Sequence, residues 1–440
     1  MENSGFDNSN NAEPIERLPT DQEKFRSFIF LFIGQMTSLF GSSIVMFSII
    51  LWITIETESP IILSITSFLS FAPVIILIPF TGVYADRWNK KKIIIISDLC
   101  QAIFTLGLII IFVIGTINLI PILVLIVFRG ICQAFHQPTI ASIVPFMVPQ
   151  KYLSKINSFS FLLMGLLNII APVIAAFLMV FLTIGQILWV DIITFSIALI
   201  PSIFLKLPVD KRKKKRKSKF KKDFKEGLLA FKNVEGLISL LIIFAGISFF
   251  AVPFYILTPY YILETRSGSP FDLAIVTGLY EVGIVAGAII VMIKKKWKKY
   301  VLTMIQLMYF QLLGVFFYLL SPEGAFWLLG IGPLILGLAT AIINSLLMTL
   351  LQTVIPPRKQ GRAMSILIVI TSAVSPIGMI LSGFLADLLG IYAFFWLCVI
   401  SMAVIVTIGV FFTKILSIDK ITKEKMESLN DSKSNSIAIE

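Results

Sequence analysis

The sequence predicts an all-α membrane protein: twelve transmembrane helices arranged as two pseudo-symmetric six-helix bundles. Three observations carry that reading. First, 57% of the 440 residues are hydrophobic, the mean hydropathy is +0.93 and only 14% are charged. A water-soluble chain of this length needs more polar surface than that. Second, the apolar residues fall in long continuous runs, without the two-residue alternation of a barrel strand, and a helix needs about 20 such residues to cross the hydrocarbon core. Third, basic residues crowd into every second connection between runs.

The spans are expected at 27–55, 61–81, 92–115, 119–148, 154–183, 186–206, 234–262, 271–293, 300–320, 324–355, 362–388 and 391–414. Residues 1–26 are polar and lack the apolar stretch of a signal peptide, so the first span is expected to direct insertion. Odd-numbered connections are nearly free of cations: ETES at 56–59, TINL at 116–119, TIGQ at 183–186, SPEG at 321–324 and the turn at Gly390, with Arg266 the exception. Even-numbered connections carry Arg87 with Lys90, Lys91 and Lys92; Lys151 and Lys155; the run at 211–225; KKKWKK at 294–299; and Arg358, Lys359 and Arg362. The positive-inside rule places these loops, and both termini, on the cytoplasmic side of the cell (plasma) membrane.

The run KRKKKRKSKFKKDFK at 211–225 holds eleven basic residues and one acid, Asp223. Between two spans, such a run sets topology and attracts anionic lipid headgroups, and nucleic acid is not the expected partner. It separates an N-terminal bundle (27–206) from a C-terminal bundle (234–414), with the linker at 207–233 and a second tail at 415–440. The halves repeat weakly. Residues 148–178 and 355–385 each show a Pro-containing basic turn, then a span with a small residue before a mid-span proline, Ala171-Pro172 and Ser375-Pro376. Two six-span halves about a central loop are the plan of many secondary transporters.

The chemistry that would mark an enzyme is missing from the sequence. Cys100, Cys132 and Cys398 lie inside apolar runs, without disulfide or zinc spacing. No phosphate loop, nucleophile–base set or metal cluster appears, so no cofactor and no metal are expected. No extramembrane segment is large enough to bind ATP, and an ion gradient is left to drive uphill transport.

Ionisable groups inside spans are costly and usually functional. Arg129 lies about ten residues into span 4, and Gln133 and His136 follow it on one helical face. His136 is the only histidine and titrates near neutral pH, so it is a candidate proton carrier, or else a polar contact packing span 4 near Pro138. Glu281, central in span 8, is a candidate for proton coupling or for binding a cationic substrate. Asp98 is expected to pair near the cytoplasmic face, and Asp191 to sit near an outer span end where water relaxes its cost. Gln35, Ser38 and Ser42 form a polar stripe on span 1. With Tyr255, Thr258, Asn344 and Ser372 they are candidates to line a mostly apolar cavity suited to bulky lipophilic solutes, or to pack helices.

The spacing Gly82-x-x-x-Asp86-Arg87-x-x-Lys90-Lys91 resembles the signature loop between spans 2 and 3 of the major facilitator superfamily, with Tyr84 and Asn89 departing from the usual leucine and glycine. The second-half counterpart at 286–299 keeps a glycine and the cations but has no acid. Arg129-Gly-Ile-Cys-Gln-Ala-Phe-His136-Gln-Pro138, VPFMVP at 144–149, Gly361-Arg362 and PIGMILSGFLADLLGI at 376–391 resemble the macrolide-efflux branch of drug exporters. Ala171-Pro172-Val-Ile-Ala175-Ala176 looks like a weakened antiporter segment. The resemblance implies that Asp86 caps the N-terminus of span 11 in one state and releases it in the other, with Arg87, Lys90 and Lys91 as basic partners and Gly82 allowing close approach. Pro138, Pro172 and Pro376 would be helix kinks. It implies a monomeric secondary transporter that takes a small-molecule substrate and protons and exports macrolide-like, lipophilic drugs by alternating access. Export of another solute, such as a siderophore or lipid, is the alternative in the same fold. A non-transporting solute sensor is the alternative of another class, disfavoured by the short tail after Lys414.

Overall fold

The computed structural model of the chain describes residues 21–115, 118–205, 228–229, 231–294, 297 and 299–424; within its helices the description stops at the backbone for residues 78–79, 82–87, 146, 154, 158, 161, 357–358, 361–362, 365, 368 and 372. Twelve spans are long and apolar enough to cross a membrane. The first half comprises α1 (Asp21–Thr57), α2 (Pro60–Arg87), α3 (Lys90–Ile114), α4 (Leu119–Met147), α5 (Gln150–Phe181), the short α6 (Ile184–Ile187) and α7 (Trp189–Phe204). The second comprises α8 (Leu237–Tyr260), which widens into a π-helical turn (Tyr261–Thr265), then α9 (Pro270–Ile293), α10 (Tyr300–Leu320), α11 (Phe326–Val354), α12 (Pro357–Leu389) and α13 (Ile391–Phe412).

Local chemistry explains where the helices stop. Asn118 caps α4, its side chain accepting from the Ile120 N–H at 3.0 Å. Ser269 and Asp272 close a capping box on α9, with Pro270 in the first turn, where no N–H is needed. Two expected boundaries move. The backbone of α2 runs on to Arg87, because nothing in residues 82–87 breaks a helix once it leaves the lipid. The signature loop is therefore mostly helix, and only Trp88 and Asn89 turn; the Asn89 side chain then accepts from the Lys92 N–H at 3.3 Å. Span 6 is broken at Leu188 into α6 and α7.

Within the second half, α9 and α11 approach at backbone distance. A Cβ on Gly283 would lie 2.2 Å from the Leu334 carbonyl oxygen, one on Gly287 2.4 Å from that of Leu338, and one on Gly337 2.0 Å from that of Tyr280. Gly283 and Gly287 are a small-xxx-small pair, the spacing that lets membrane helices touch.

The two halves meet at the end that carries the neutral connections. There Leu51 of α1 and Leu63 of α2 share one apolar cluster with Tyr261, Leu273, Val315 and Phe395. Ser64 and Ser382 link α2 to α12 by a 3.1 Å hydroxyl contact. At the basic end, among the described residues, each half has its own cluster: Phe28, Leu31, Ile94 and Met147 in the first, Val301, Leu350 and Ile355 in the second.

Arg266, the cation that breaks the charge alternation, is 7% exposed at the neutral end. Its guanidinium donates to the Ser321 carbonyl at 2.8 Å, the Ser321 hydroxyl at 3.0 Å and the Tyr261 hydroxyl at 3.0 Å, and it lies over the Tyr261 and Tyr392 rings. It thus clasps the π-helical turn to α10 and α13. At the opposite end Asp419, in the segment after α13, accepts from the N–H groups of Val301 (2.8 Å) and Leu302 (3.1 Å). It supplies the acid that the N-terminus of α10 lacks locally. Ile415 and Ile418 are buried beneath it, so the chain beyond α13 continues into the second core.

Gly283→Leu should push α9 from α11 and lower stability by about 1–3 kcal/mol, the cost of overpacking against backbone that cannot move aside. Thermal unfolding of the purified protein in detergent reads the shift. An unchanged midpoint would contradict the close approach.

Candidate functional site

A cavity of about 1270 Å³ lies between the two halves. Its walls are mainly apolar, with Phe32, Phe71, Leu167, Phe254, Leu312 and Leu336 among them, and a few polar side chains are spaced around it. Gln35, Ser38 and Ser42 reach it from α1, Gln133 from α4, Tyr255 and Thr258 from α8, and Asn344 from α11. Arg129, His136 and Glu281 line it too, as does Pro172. Pro138 and Pro376 lie inside α4 and α12 without lining it. The side chains of Gly82, Asp86, Arg87 and Ser372 are outside the described residues. Lys90 and Lys91 lie away from the cavity, Lys90 on the Ser142 hydroxyl and Lys91 on the Ile203 carbonyl.

Two charge networks organise the wall formed by the first half. In one, Arg129 meets Asp191 at 2.7 Å. The same carboxylate accepts from Thr105 at 2.7 Å and from Ser42 at 2.6 Å, and Arg129 also contacts the Thr105 hydroxyl. Asp191 is 4% exposed, deeper than its position near a span end implied. The pair joins α1, α3, α4 and α7. A buried carboxylate that accepts from three donors, one of them cationic, is fully satisfied as an anion.

In the second network, His136 Nε2 lies 3.0 Å from Asp98 Oδ1. The ring is close enough for an ion pair, yet it makes no aligned hydrogen bond there. Asp98 Oδ2 accepts from Gln35 at 3.1 Å, and the same Gln35 amide donates to Ser202 at 3.2 Å. Asp98 is 2% exposed, and it meets His136, which shares the face of α4 that carries Arg129. The carboxylate therefore has one firm donor, the Gln35 amide, and an imidazole beside it.

The second half presents Glu281, beside Tyr255 and Tyr280 and facing Asn168 of α5 across the seam. Tyr280 in turn meets Thr340, which accepts from Gln311 at 2.8 Å. Asn168, Tyr280, Gln311 and Thr340 also line the cavity and were not singled out from sequence. Gln311 had a signal, an amide in an apolar run that also carries Gln306.

The profile described as Major Facilitator Superfamily matches residues 31–361 and 307–436. The chain belongs to the Major Facilitator Superfamily. As a member it is a multi-pass secondary transporter for a small-molecule substrate. It is 27% identical over 371 residues to "Macrolide efflux protein A" of Streptococcus pyogenes, covering 84% of this chain and 92% of that protein. Among solved structures it is similar to a bacterial homolog of the human lysosomal transporter Spinster in an inward-facing, unoccupied conformation, with a TM-score of 0.63, 15% identity, and 91% and 98% of the two chains covered. It is also similar to a D-xylose–proton symporter, with a TM-score of 0.65, 13% identity, and 89% and 99% coverage. These likenesses establish the fold expected from the sequence.

Breaking the Arg129–Asp191 pair from one side leaves a buried charge uncompensated. Arg129→Met should therefore cost about 3–5 kcal/mol of stability, and Asp191→Asn a comparable amount. The double variant should cost clearly less than the sum, as a thermal-unfolding cycle would show. Strictly additive losses would mean that the two side chains do not depend on each other.

Proposed function

We propose that this transporter exports bulky, lipophilic, macrolide-like solutes from the cytoplasm by alternating access, driven by proton entry. The carrying observation is the cavity. At about 1270 Å³ it exceeds the ordinary range of small-molecule sites, roughly 300–1,000 Å³, and its walls are mainly apolar, with polar side chains spaced among them. Such a site gains affinity from buried area and demands little of cargo shape. The 27% identity to a macrolide efflux protein points the same way.

Direction follows from charge. The positive-inside rule assigns the basic connections, and both termini, to the cytoplasm. The cluster common to both halves seals the neutral end, which leaves the basic end as the route by which cargo arrives. Export then requires the neutral-end seam to open while Asp86 caps the N-terminus of α12, where Pro356 offers no side-chain cap. The Asp98–His136 pair is the proton-exchange site: it is buried, faces the cavity and sets a carboxylate against an imidazole, the side-chain types that most often pass protons. The basic run at 211–225 rests against anionic lipid, and the monomer is the working unit.

Cells expressing the chain should accumulate less erythromycin than cells without it, and a protonophore should erase the difference. Asp98→Asn should lose the pH-driven component in everted vesicles, and Asp86→Asn should lose turnover while still binding cargo. Equal accumulation with and without the chain, across a broad panel of lipophilic solutes, would sink the efflux reading.

A further inference from the structure

Among the described residues, the acidic and basic side chains that line the cavity are Asp98, Arg129, His136 and Glu281. The first three have partners of opposite charge type: Arg129 has Asp191 at 2.7 Å, and Asp98 and His136 have each other at 3.0 Å. Glu281 has no cationic partner among the described residues. Its neighbours Asn168, Tyr255 and Tyr280 are all neutral. The wall of the first half therefore balances its own charge, and the wall of the second half presents one carboxylate with nothing to balance it.

We propose that Glu281 is the counter-ion for the cargo, and that the cargo this site favours is a bulky organic monocation, such as a protonated tertiary amine on an apolar body. Three physical points lead there. A carboxylate in an apolar, membrane-embedded cavity attracts a monovalent cation several-fold more strongly than the same pair would attract in water. Tyr255 and Tyr280 beside it add aromatic, weakly hydrated surface, which favours a diffuse organic cation over a small hydrated one. The backbone that carries Glu281 is also fixed: it lies on α9 two residues before Gly283, where α9 and α11 touch backbone to backbone.

Asn168 gives the site a second consequence. It belongs to α5, in the other half, and its amide faces the Glu281 carboxylate across the seam. A cation arriving at Glu281 takes the place of that amide and removes a polar contact between the halves. Cargo binding and loosening of the α5–α9 seam are then one event, and neutral cargo, which leaves Asn168 in place, lacks this effect.

The proposal rests on the efflux reading but is tested separately from it, by binding to the purified full-length protein in detergent. The probes are tetraphenylphosphonium, a bulky monocation, and triphenylphosphine oxide, a neutral counterpart. The wild-type chain should bind the cation more tightly. Glu281→Gln should weaken cation binding by roughly tenfold or more, the scale of one charge-assisted contact, with little change for the neutral probe. Glu281→Asp should keep the preference in part, and Asn168→Ala, which removes the competing amide, should tighten cation binding. Equal cation affinity in wild type and Glu281→Gln overturns the proposal, and so does weaker cation binding in Asn168→Ala. Transport in proteoliposomes under a pH gradient separates the two readings. Cation binding that depends on Glu281 without any transport overturns export and leaves the cation site. Transport of both probes abolished in Glu281→Gln, with binding intact, makes Glu281 a proton carrier and overturns the counter-ion role.

Discussion

The hydrocarbon core tolerates no unsatisfied charge, and the architecture of this transporter follows from that constraint. Water is absent there, so an ionised group must find its partner inside the protein or give up its charge. The first half solves this with the Arg129–Asp191 pair, which joins α4 to α7, and the Asp98–His136 pair, which joins α3 to α4. These contacts tie α1, α3, α4 and α7 together from the inside, where apolar packing alone provides little force between helices in lipid. The second half contains fewer charges and is held differently, by the glycine seam of α9 and α11 and by the apolar clusters at its two ends.

The same constraint separates structural charge from working charge. Arg129 lines the cavity, yet its Nη1 is held by Asp191 and the Thr105 hydroxyl, so it buttresses the wall. Arg266 is likewise consumed by carbonyls, hydroxyls and ring faces, and it braces the neutral end against which the halves close. Asp98–His136 and Glu281 are different. Asp98 and His136 have each other and the Gln35 amide, and the neighbours of Glu281 are neutral. In the proposed export the first pair serves the proton and the second carboxylate the cargo, on opposite walls of one cavity.

The spans were legible in the sequence because length and continuous hydropathy decide them, and the charge alternation gives an expected orientation without any tertiary information. Arg129, His136 and Glu281 stood out for the same reason, as ionisable residues stranded in apolar runs. Their partners did not. Depth counted along one span said that Asp191 was near water, but what faces a residue depends on other helices, and α4 brings Arg129 there from 62 positions away. Asp98 and Gln35, 63 positions apart, met for a similar reason. Gly283 and Gly287 were readable in principle, since their spacing alone predicts a close helix contact. The expected cap on span 11 stays a proposal, because the side chain of Asp86 lies outside the described residues.

The central claim is that transport requires the neutral-end seam between α2 and α12 to part. Ser64 and Ser382, whose hydroxyls are 3.1 Å apart, allow a direct test. In a variant with Cys100, Cys132 and Cys398 replaced by alanine, Ser64→Cys and Ser382→Cys should form a disulfide on mild oxidation. The account predicts that the cross-linked protein still binds cargo but stops transporting it, and that reduction restores turnover. Undiminished transport by quantitatively cross-linked protein would contradict it.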